Sequence, residues 1–199
     1  MATLSVVFGM FRFLSVVDPS RVYPPTNRRK RSVVAAGAFL AVLAAAGCGG
    51  GGGGATETIA AGGQEVKGPG FVFRAPEDWQ KTVRATSASA QDNPSRLVSV
   101  VVLPLLKPYR IALFPQVAKE LDRVADTYAA NLKGTVDSRR TVEIAGRQAR
   151  EYRITHGGLV DRITFVLRGR RNFQLTCRWR ESDGEPDACG QLAASFAFR

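Results

Sequence analysis

LVDRITFVLR, from Leu159 to Arg168, and RNFQLTCRWR, from Arg171 to Arg180, are the two segments that decide the fold. Apolar and polar residues alternate along both of them, and a period of two is typical of β-strands with one buried face. Only Gly169-Arg170 separates the segments, which is a hairpin-turn signal. The sequence therefore predicts two neighbouring antiparallel strands.

The alternation also predicts which side chains share a face of each strand. Ile163, Phe165 and Leu167 oppose Arg162, Thr164 and Arg168, while Phe173, Leu175, Cys177 and Trp179 oppose Gln174, Thr176, Arg178 and Arg180. We expect Arg153, Arg162, Arg178 and Arg180 to point away from the Phe/Trp face, where neighbouring strands could gather them into a cationic patch. Such a patch could hold a carboxylate, a phosphate or a sugar-acid polymer through bidentate hydrogen bonds. The alternative is a solvated face whose arginines pair with Asp161, Glu151 and Glu143.

Further strand-like segments lie on the N-terminal side of this pair. Residues 135–144 and 148–155 are joined across Ala145-Gly146, a hairpin signal, and His156-Gly157-Gly158 makes the next turn. A short strand followed by a Pro-led turn is predicted within 71–79, and further strands at 81–85 and 97–103. Residues 87–95 are polar and contain a turn signal at Asp92-Asn93-Pro94.

Two helices complete the predicted fold. Pro115 opens an amphipathic helix of about 18 residues, because apolar side chains recur at three- and four-residue steps until Gly134 ends the pattern. A shorter helix fits residues 186–194. The prediction is an α+β fold in which an antiparallel sheet of about six strands is sandwiched with one long amphipathic helix and a C-terminal helix.

Three short motifs carry a family resemblance. Phe73-Arg-Ala-Pro-Glu-Asp-Trp79 resembles the first strand and turn of PsbP-like domains, and Val142-Glu-Ile-Ala-Gly-Arg-Gln-Ala149 and Leu192-Ala-Ala-Ser-Phe196 fit the same family. That family includes many actinobacterial lipoproteins of the LpqN kind. The resemblance covers most of residues 71–199 and implies the fold. It implies almost nothing about the ligand, because family members have diverse roles.

The N-terminal segment has the pattern of an export signal. Arg28-Arg29-Lys30-Arg31 is followed by an apolar run over 32–46, and the run ends at Gly47-Cys48. The run is shorter than the roughly 20 residues of a spanning helix. The end of the run resembles the lipobox of bacterial lipoproteins, although Ala45 stands where leucine is commoner. We predict a signal peptide over 1–48 with lipidation of Cys48. A plain membrane anchor or a buried helix with a glycine C-cap is the alternative.

Two flanking regions are described by composition alone. Residues 1–27 fit either a long N-terminal extension or a start codon assigned too far upstream. Gly49 to Gly54 are six consecutive glycines, and the stretch to Gly70 stays small and polar, without apolar periodicity. We expect 49–70 to be a flexible tether and 71–199 to be the single PsbP-like α+β domain.

The cysteine count supports this organisation. The chain has three cysteines, and assigning Cys48 to lipid leaves Cys177 and Cys189 as the intrachain pair. Cys177 falls on the apolar face of its strand, and Cys189 lies in the helix that should cover it. Export would supply the oxidising compartment that a disulfide needs.

Charge and composition exclude several function classes. The formal charge is +11, and residues 1–48 carry +5 of it, so nucleic acid is not expected as a partner. His156 is the only histidine and is expected to be a solvated turn residue, which leaves no histidine-dependent nucleophile–base pair. The glycine run lacks the context of a P-loop. We therefore expect no enzyme activity, no cofactor and no metal.

Three hypotheses for function remain. The first is a non-enzymatic lipoprotein, monomeric and lipid-anchored on the extracytoplasmic face of the cell membrane, whose domain binds an envelope protein or an anionic component such as a cell-wall polymer. The second is a small-molecule or lipid carrier with a pocket between the long helix and the sheet, lined by Tyr128, Phe165 and Trp179. An unrecognised hydrolase is the third.

Overall fold

The structure of the protein is a computed structural model that describes residues 62–199. The predicted signal peptide, its Cys48 and residues 49–61 of the predicted tether lie outside the described residues. The described part contains ten strands and two α-helices. The strands are β1 Gln64–Gly68, β2 Phe71–Ala75, β3 Gln80–Val83, β4 Ser87–Asn93, β5 Arg96–Pro104, β6 Thr135–Ile144, β7 Arg147–His156, β8 Leu159–Arg168, β9 Arg171–Arg180 and β10 Ala197–Phe198, and the helices are α1 Phe114–Asn131 and α2 Asp187–Ser195.

The strands form two antiparallel sheets. The larger sheet has seven strands in the order β3-β4-β5-β9-β8-β7-β6, and the smaller has three in the order β1-β2-β10. The α+β prediction, with one long helix and a C-terminal helix, is confirmed. The prediction of one sheet with about six strands did not include β1, β4 and β10, so the number of strands was too low.

Two of the missed strands have weak sequence signals. β1 lies inside the segment that the sequence assigned to the tether, and its one apolar side chain, Val66, is buried. β4 covers residues that looked like a polar loop, yet Ala88 and Ala90 are buried between serines that face the other way. The ordered domain therefore starts before residue 71. A strand of small residues alternates too weakly in hydropathy to be read from sequence.

The register of the central hairpin decides which side chains meet. The two-residue turn pairs Arg168 with Arg171, so Phe165 lies opposite Gln174 and Arg162 lies opposite Cys177. Residues directly opposite each other point to the same face of a sheet. The apolar sides of β8 and β9 therefore face opposite directions, and both faces of the large sheet carry a hydrophobic core.

We call the side of the large sheet that carries Phe165 the helix face, because α1 packs on it. The buried side chains of α1 meet those of β7 and β8 there; they include Val117, Leu121, Ala125, Tyr128, Tyr152, Ile154 and Ile163. We call the other side, which carries Cys177, the disulfide face. The small sheet and α2 cover it with a core that includes Phe71, Phe73, Phe173, Trp179, Leu192 and Phe196.

The predicted long helix is present with its predicted end. α1 has 18 residues, Pro115 stands in its first turn, and its apolar stripe faces the sheet. After the helix, Lys133 adopts a positive φ of 53°, and the Gly134 amide donates to the Ala129 carbonyl at 2.9 Å. A Cβ on Gly134 would lie 2.4 Å from the Thr155 carbonyl oxygen. Glycine is therefore needed where the helix end packs against β7.

The predicted disulfide is formed in the structure. Cys177 on β9 is bonded to Cys189 in α2, with a Cα–Cα distance of 5.4 Å, and both side chains are buried. The bond holds α2 onto the disulfide face. Both cores and this bond are built from residues 66–198, all of which are present in a chain that begins at Gly49.

Candidate functional site

The four arginines considered for one cationic patch lie on two faces. Arg153 and Arg162 are cross-strand neighbours on the disulfide face. Arg178 and Arg180 lie on the helix face, because Arg178 pairs with Asp161 across β8 and β9. The predicted patch of four is therefore wrong as a single surface. The prediction placed the apolar sides of β8 and β9 on the same face of the sheet. The two-residue turn instead places them on opposite faces.

The two arginines on the disulfide face are neutralised by carboxylates. Arg162 is hydrogen-bonded to Glu185 and lies 3.9 Å from Glu151. Arg153 lies 3.9 Å from Asp137 and 4.0 Å from Glu185, and its guanidinium sits 5.3 Å from the centre of the Trp179 ring.

Glu151 itself is buried and strongly held. Its carboxylate accepts from Arg140 at 2.6 Å and from the Thr164 hydroxyl at 3.1 Å. The sequence suggested, as an alternative, that the arginines pair with Asp161, Glu151 and Glu143. Glu151 and Asp161 do pair with arginines, whereas Asp137 and Glu185 take the place of Glu143. The charges around Arg153 and Arg162 form an internally paired network, which leaves little net positive charge there for an anionic ligand.

A second charged cluster lies on the helix face, and the sequence did not predict that it is buried. Asp161 is fully buried, and Arg178 donates to both of its carboxylate oxygens, at 2.6 and 2.7 Å. The Tyr128 hydroxyl lies 3.2 Å from the same carboxylate, and Nε2 of His156 lies 3.0 Å from it. The prediction of a solvated His156 was wrong, because its ring is only 10 % exposed.

The electrostatics of this cluster favour the ionised pair. Burial raises the pKa of Asp161, but the hydrogen bonds from Arg178 and His156 outweigh burial and hold that pKa below its usual value. Burial, followed by the charge of Asp161, raises the pKa of Tyr128. Tyr128 bonds to Asp161 and not to His156, so these four residues do not form a nucleophile–base–orienter relay. Their geometry is that of a structural ion pair.

A related contact fixes the long helix to the sheet. Arg150 on β7 donates to both carboxylate oxygens of Asp122 in α1, at 2.9 and 3.3 Å, and the Tyr152 hydroxyl donates to the same carboxylate at 2.8 Å. Burial raises the pKa of Asp122, and these hydrogen bonds outweigh it, so the pKa is lowered overall.

The residues predicted to line a carrier pocket are not brought together. Tyr128 and Phe165 belong to the core under α1 on the helix face. Trp179 belongs to the core on the disulfide face and is 1 % exposed. The sheet itself separates Trp179 from the other two side chains, and all three are packed in cores.

Four arginines at one end of the large sheet differ from those described above in their charge pairing. Arg147 starts β7, and Arg168, Arg170 and Arg171 surround the β8–β9 turn. None of the four forms an ion pair with a carboxylate of residues 62–199. Arg168 and Arg147 instead lie 4.7 and 5.8 Å from the centre of the Phe198 ring. We call this group the arginine end.

The comparisons with known proteins bear on the fold. The solution structure of cyanobacterial PsbP (CyanoP) from Synechocystis sp. PCC 6803 is similar to this chain, with a TM-score of 0.50 and 13% sequence identity. The match covers 75% of this chain and 98% of that chain. The fold is PsbP-like. At this identity the likeness concerns the fold alone.

A crystal structure of a protein from Bacteroides thetaiotaomicron also resembles the chain, with a TM-score of 0.46 and 15% identity. That match covers 65% of this chain and 45% of the other, so the PsbP-like chain spans less than half of that protein's length. Neither a family model nor a curated protein sequence matches the chain.

The PsbP-like domain shows no arrangement of side chains for a metal ion and no membrane-spanning helix within residues 62–199. Within residues 62–199, no group of three or more histidine, cysteine, aspartate or glutamate side chains is arranged to hold a metal ion. Neither of the helices described here is long and apolar enough to span a bilayer.

Proposed function

We propose that this protein is a lipid-anchored, extracytoplasmic binding protein without catalytic activity, of the LpqN kind. Its PsbP-like domain binds an anionic component of the cell envelope through the arginine end. The observation that carries the proposal is the contrast in charge pairing. Arg153 and Arg162 have carboxylate partners, whereas Arg147, Arg168, Arg170 and Arg171 have none among the described residues.

The physical case for anion binding rests on this contrast. An arginine that already shares a carboxylate must break that contact before it binds a ligand. Arg168 and Arg171 have no carboxylate contact to break before they bind a ligand. They lie directly opposite each other across the hairpin. Two exposed guanidinium groups side by side can bind one phosphate or carboxylate group with charge-assisted hydrogen bonds.

The case for export and anchoring rests on sequence. The basic segment Arg28–Arg31, the apolar run over 32–46 and Gly47-Cys48 have the order of a lipoprotein signal. The Cys177–Cys189 bond supports the same location, because structural disulfides persist mainly in oxidising compartments. A carrier function receives no such support, because its three proposed lining residues lie in two separate cores.

Intact-mass spectrometry of membrane-extracted protein tests the anchor. We expect a chain that begins at Cys48, carries a diacylglyceryl group and has lost two hydrogens to the Cys177–Cys189 bond. The Cys48→Ser variant should lack the lipid and keep the disulfide. An unmodified Cys48 in extracted protein would contradict the anchoring part of the proposal.

A soluble polyanion tests the binding surface. The chain that begins at Gly49 is titrated with inorganic polyphosphate. The variant Arg147→Gln/Arg168→Gln/Arg171→Gln should bind at least about 10-fold more weakly. The control Arg96→Gln/Arg123→Gln/Arg139→Gln removes the same charge from arginines that have carboxylate partners, and it should bind nearly as well as the parent. Equal losses in the two variants would mean that net charge, and not the arginine end, causes binding.

A further inference from the structure

Beside the arginine end lies a loop with an unusual surface. The loop runs from Leu105 to Leu113, between β5 and α1. Among the described residues three large hydrophobic side chains are exposed, and two of them are in this loop: Leu106 is 51% exposed and Ile111 is 63% exposed. The loop also carries Lys107 and Arg110, which are exposed and without ion pairs in the described chain.

The loop is fixed to the arginine end by backbone and side-chain hydrogen bonds. The Leu105 amide donates to the Arg170 carbonyl at 2.8 Å, and the Tyr109 amide donates to the Gly169 carbonyl at 2.7 Å. The Arg170 guanidinium donates to the Leu106 carbonyl at 2.9 Å. The side chain of Leu105 is buried, which also fixes the loop to the rest of the domain. The exposed apolar side chains and the unpaired cations therefore share one end of the domain formed by residues 62–199.

We propose that this end of the domain docks on the surface of an anionic phospholipid bilayer. Arg147, Arg168, Arg170 and Arg171, with Lys107 and Arg110, would bind headgroup phosphates, while Leu106 and Ile111 enter the interface between headgroups and acyl chains. Single apolar side chains among cations suit this boundary, because it solvates both kinds of group. A protein interface would instead be expected to carry a contiguous apolar patch.

This inference rests on the proposed function, because the lipid on Cys48 would keep the domain near a bilayer. The chain length allows the orientation. Gln64 pairs with Ala75, whereas the turn at Gly70 approaches Arg171, so β1 starts at the end of the small sheet away from the arginine end. About 15 residues separate Cys48 from Gln64, and they can span at most about 50 Å. A ten-residue strand is about 33 Å long, so the tether can reach past the domain.

Vesicle cosedimentation tests the proposal on the chain that begins at Gly49, which lacks both the leader and the lipid. The vesicles contain either phosphatidylcholine alone or phosphatidylcholine mixed with phosphatidylglycerol, an anionic lipid whose surface potential attracts cationic side chains. We expect binding to the anionic vesicles only. Arg168→Gln/Arg171→Gln should weaken it about 30-fold, as expected for the loss of two surface cations.

The apolar contribution is tested separately. Leu106→Ser/Ile111→Ser keeps every charge and should weaken vesicle binding roughly 10-fold. Val83→Ser is the control, because Val83 is 58% exposed but lies on the edge strand β3. Circular dichroism checks that each variant is folded. If Leu106→Ser/Ile111→Ser binds the anionic vesicles as tightly as the parent, the proposal that these two side chains enter the bilayer interface is overturned.

A parallel titration with inorganic polyphosphate separates the two proposals. If polyphosphate binds through the arginine end but anionic vesicles do not, the bilayer inference is overturned and the proposed function stands. If neither vesicles nor polyphosphate bind, both fail. Leu106→Ser/Ile111→Ser should leave polyphosphate binding unchanged, because the variant removes no cation.

Discussion

Arg178 donates from Nε and Nη2 to the two carboxylate oxygens of Asp161, and both side chains are buried between β8, β9 and helix α1. Tyr128 from α1 and His156 from the end of β7 add contacts to the same carboxylate. The pair therefore joins three strands and a helix at one point. Removing one partner would leave the other charge buried without a counterion.

The first prediction concerns this pair. Asp161→Asn should lower the free energy of unfolding by about 3–5 kcal/mol, because it leaves the buried Arg178 charge uncompensated. In urea unfolding, the double variant Asp161→Asn/Arg178→Met should lose less than the sum of the two single variants. Asp126→Asn is the matched control, because its partner Arg139 is exposed, and it should cost at most about 1 kcal/mol. Additive losses would contradict direct coupling of Asp161 and Arg178.

The second prediction is the pH dependence of stability. The folded-state pKa of Asp161 is lowered, so the carboxylate stabilises the fold above its unfolded-state pKa of about 3.9. That stability is lost as the pH falls through the lower folded-state pKa. Unfolding by urea between pH 2 and pH 7 should therefore show a decline below about pH 4. Asp161→Asn should make the decline shallower than in the parent protein; an equal slope in the two proteins would contradict the assignment.

The third prediction compares two glycines. Gly134→Ala should lower the free energy of unfolding by about 1–3 kcal/mol, because the new Cβ would lie 2.4 Å from the Thr155 carbonyl oxygen and 2.7 Å from the His156 Cβ. Gly190 lies inside α2, and a Cβ there would meet nothing within 4 Å. Gly190→Ala should therefore stabilise the protein by about 0.5–1 kcal/mol. Chemical denaturation measures both, and a loss at Gly190 would count against the described packing of α2.

The fourth prediction concerns the disulfide. Cys177→Ala/Cys189→Ala should lower the free energy of unfolding by about 3 kcal/mol, because the bond closes a loop with a sequence separation of 12 and fixes α2 on the sheet. Thermal unfolding of the parent with and without reductant should show the same loss. The double variant is the control, since reductant should not change its midpoint. A parent that is insensitive to reductant would show that the bond contributes little.

The sequence predicted the properties that are local to one segment. Alternation assigned the two faces of β8 and of β9, the apolar stripe predicted α1, and Gly134 marked its end. The turns at Ala145-Gly146 and Gly157-Gly158 are present, with positive φ at all four residues. Each of these signals depends on residues a few positions apart, so a single chain segment contains all of the information.

The site was decided by pairing between segments. A one-residue change of register moves every side chain of a strand to the other face. The turn at Gly169-Arg170 sets Arg162 beside Cys177 and Asp161 beside Arg178, and counting outward from that turn could have revealed this pairing. The buried role of His156 had no such signal, because it depends on where β8 and α1 bring Asp161.

The hairpin of β8 and β9 shows both what the sequence determines and what it leaves to the tertiary structure. By itself the sequence determined that 159–168 and 171–180 are strands, which residues oppose each other on each strand, and that the chain carries the pattern of an exported lipoprotein. Only the tertiary structure decided that Phe165 and Trp179 belong to two different cores and that the paired and unpaired arginines lie in different places. The reason is physical: alternation is set by the backbone of one strand, whereas cores and charge pairs depend on contacts between residues distant in sequence.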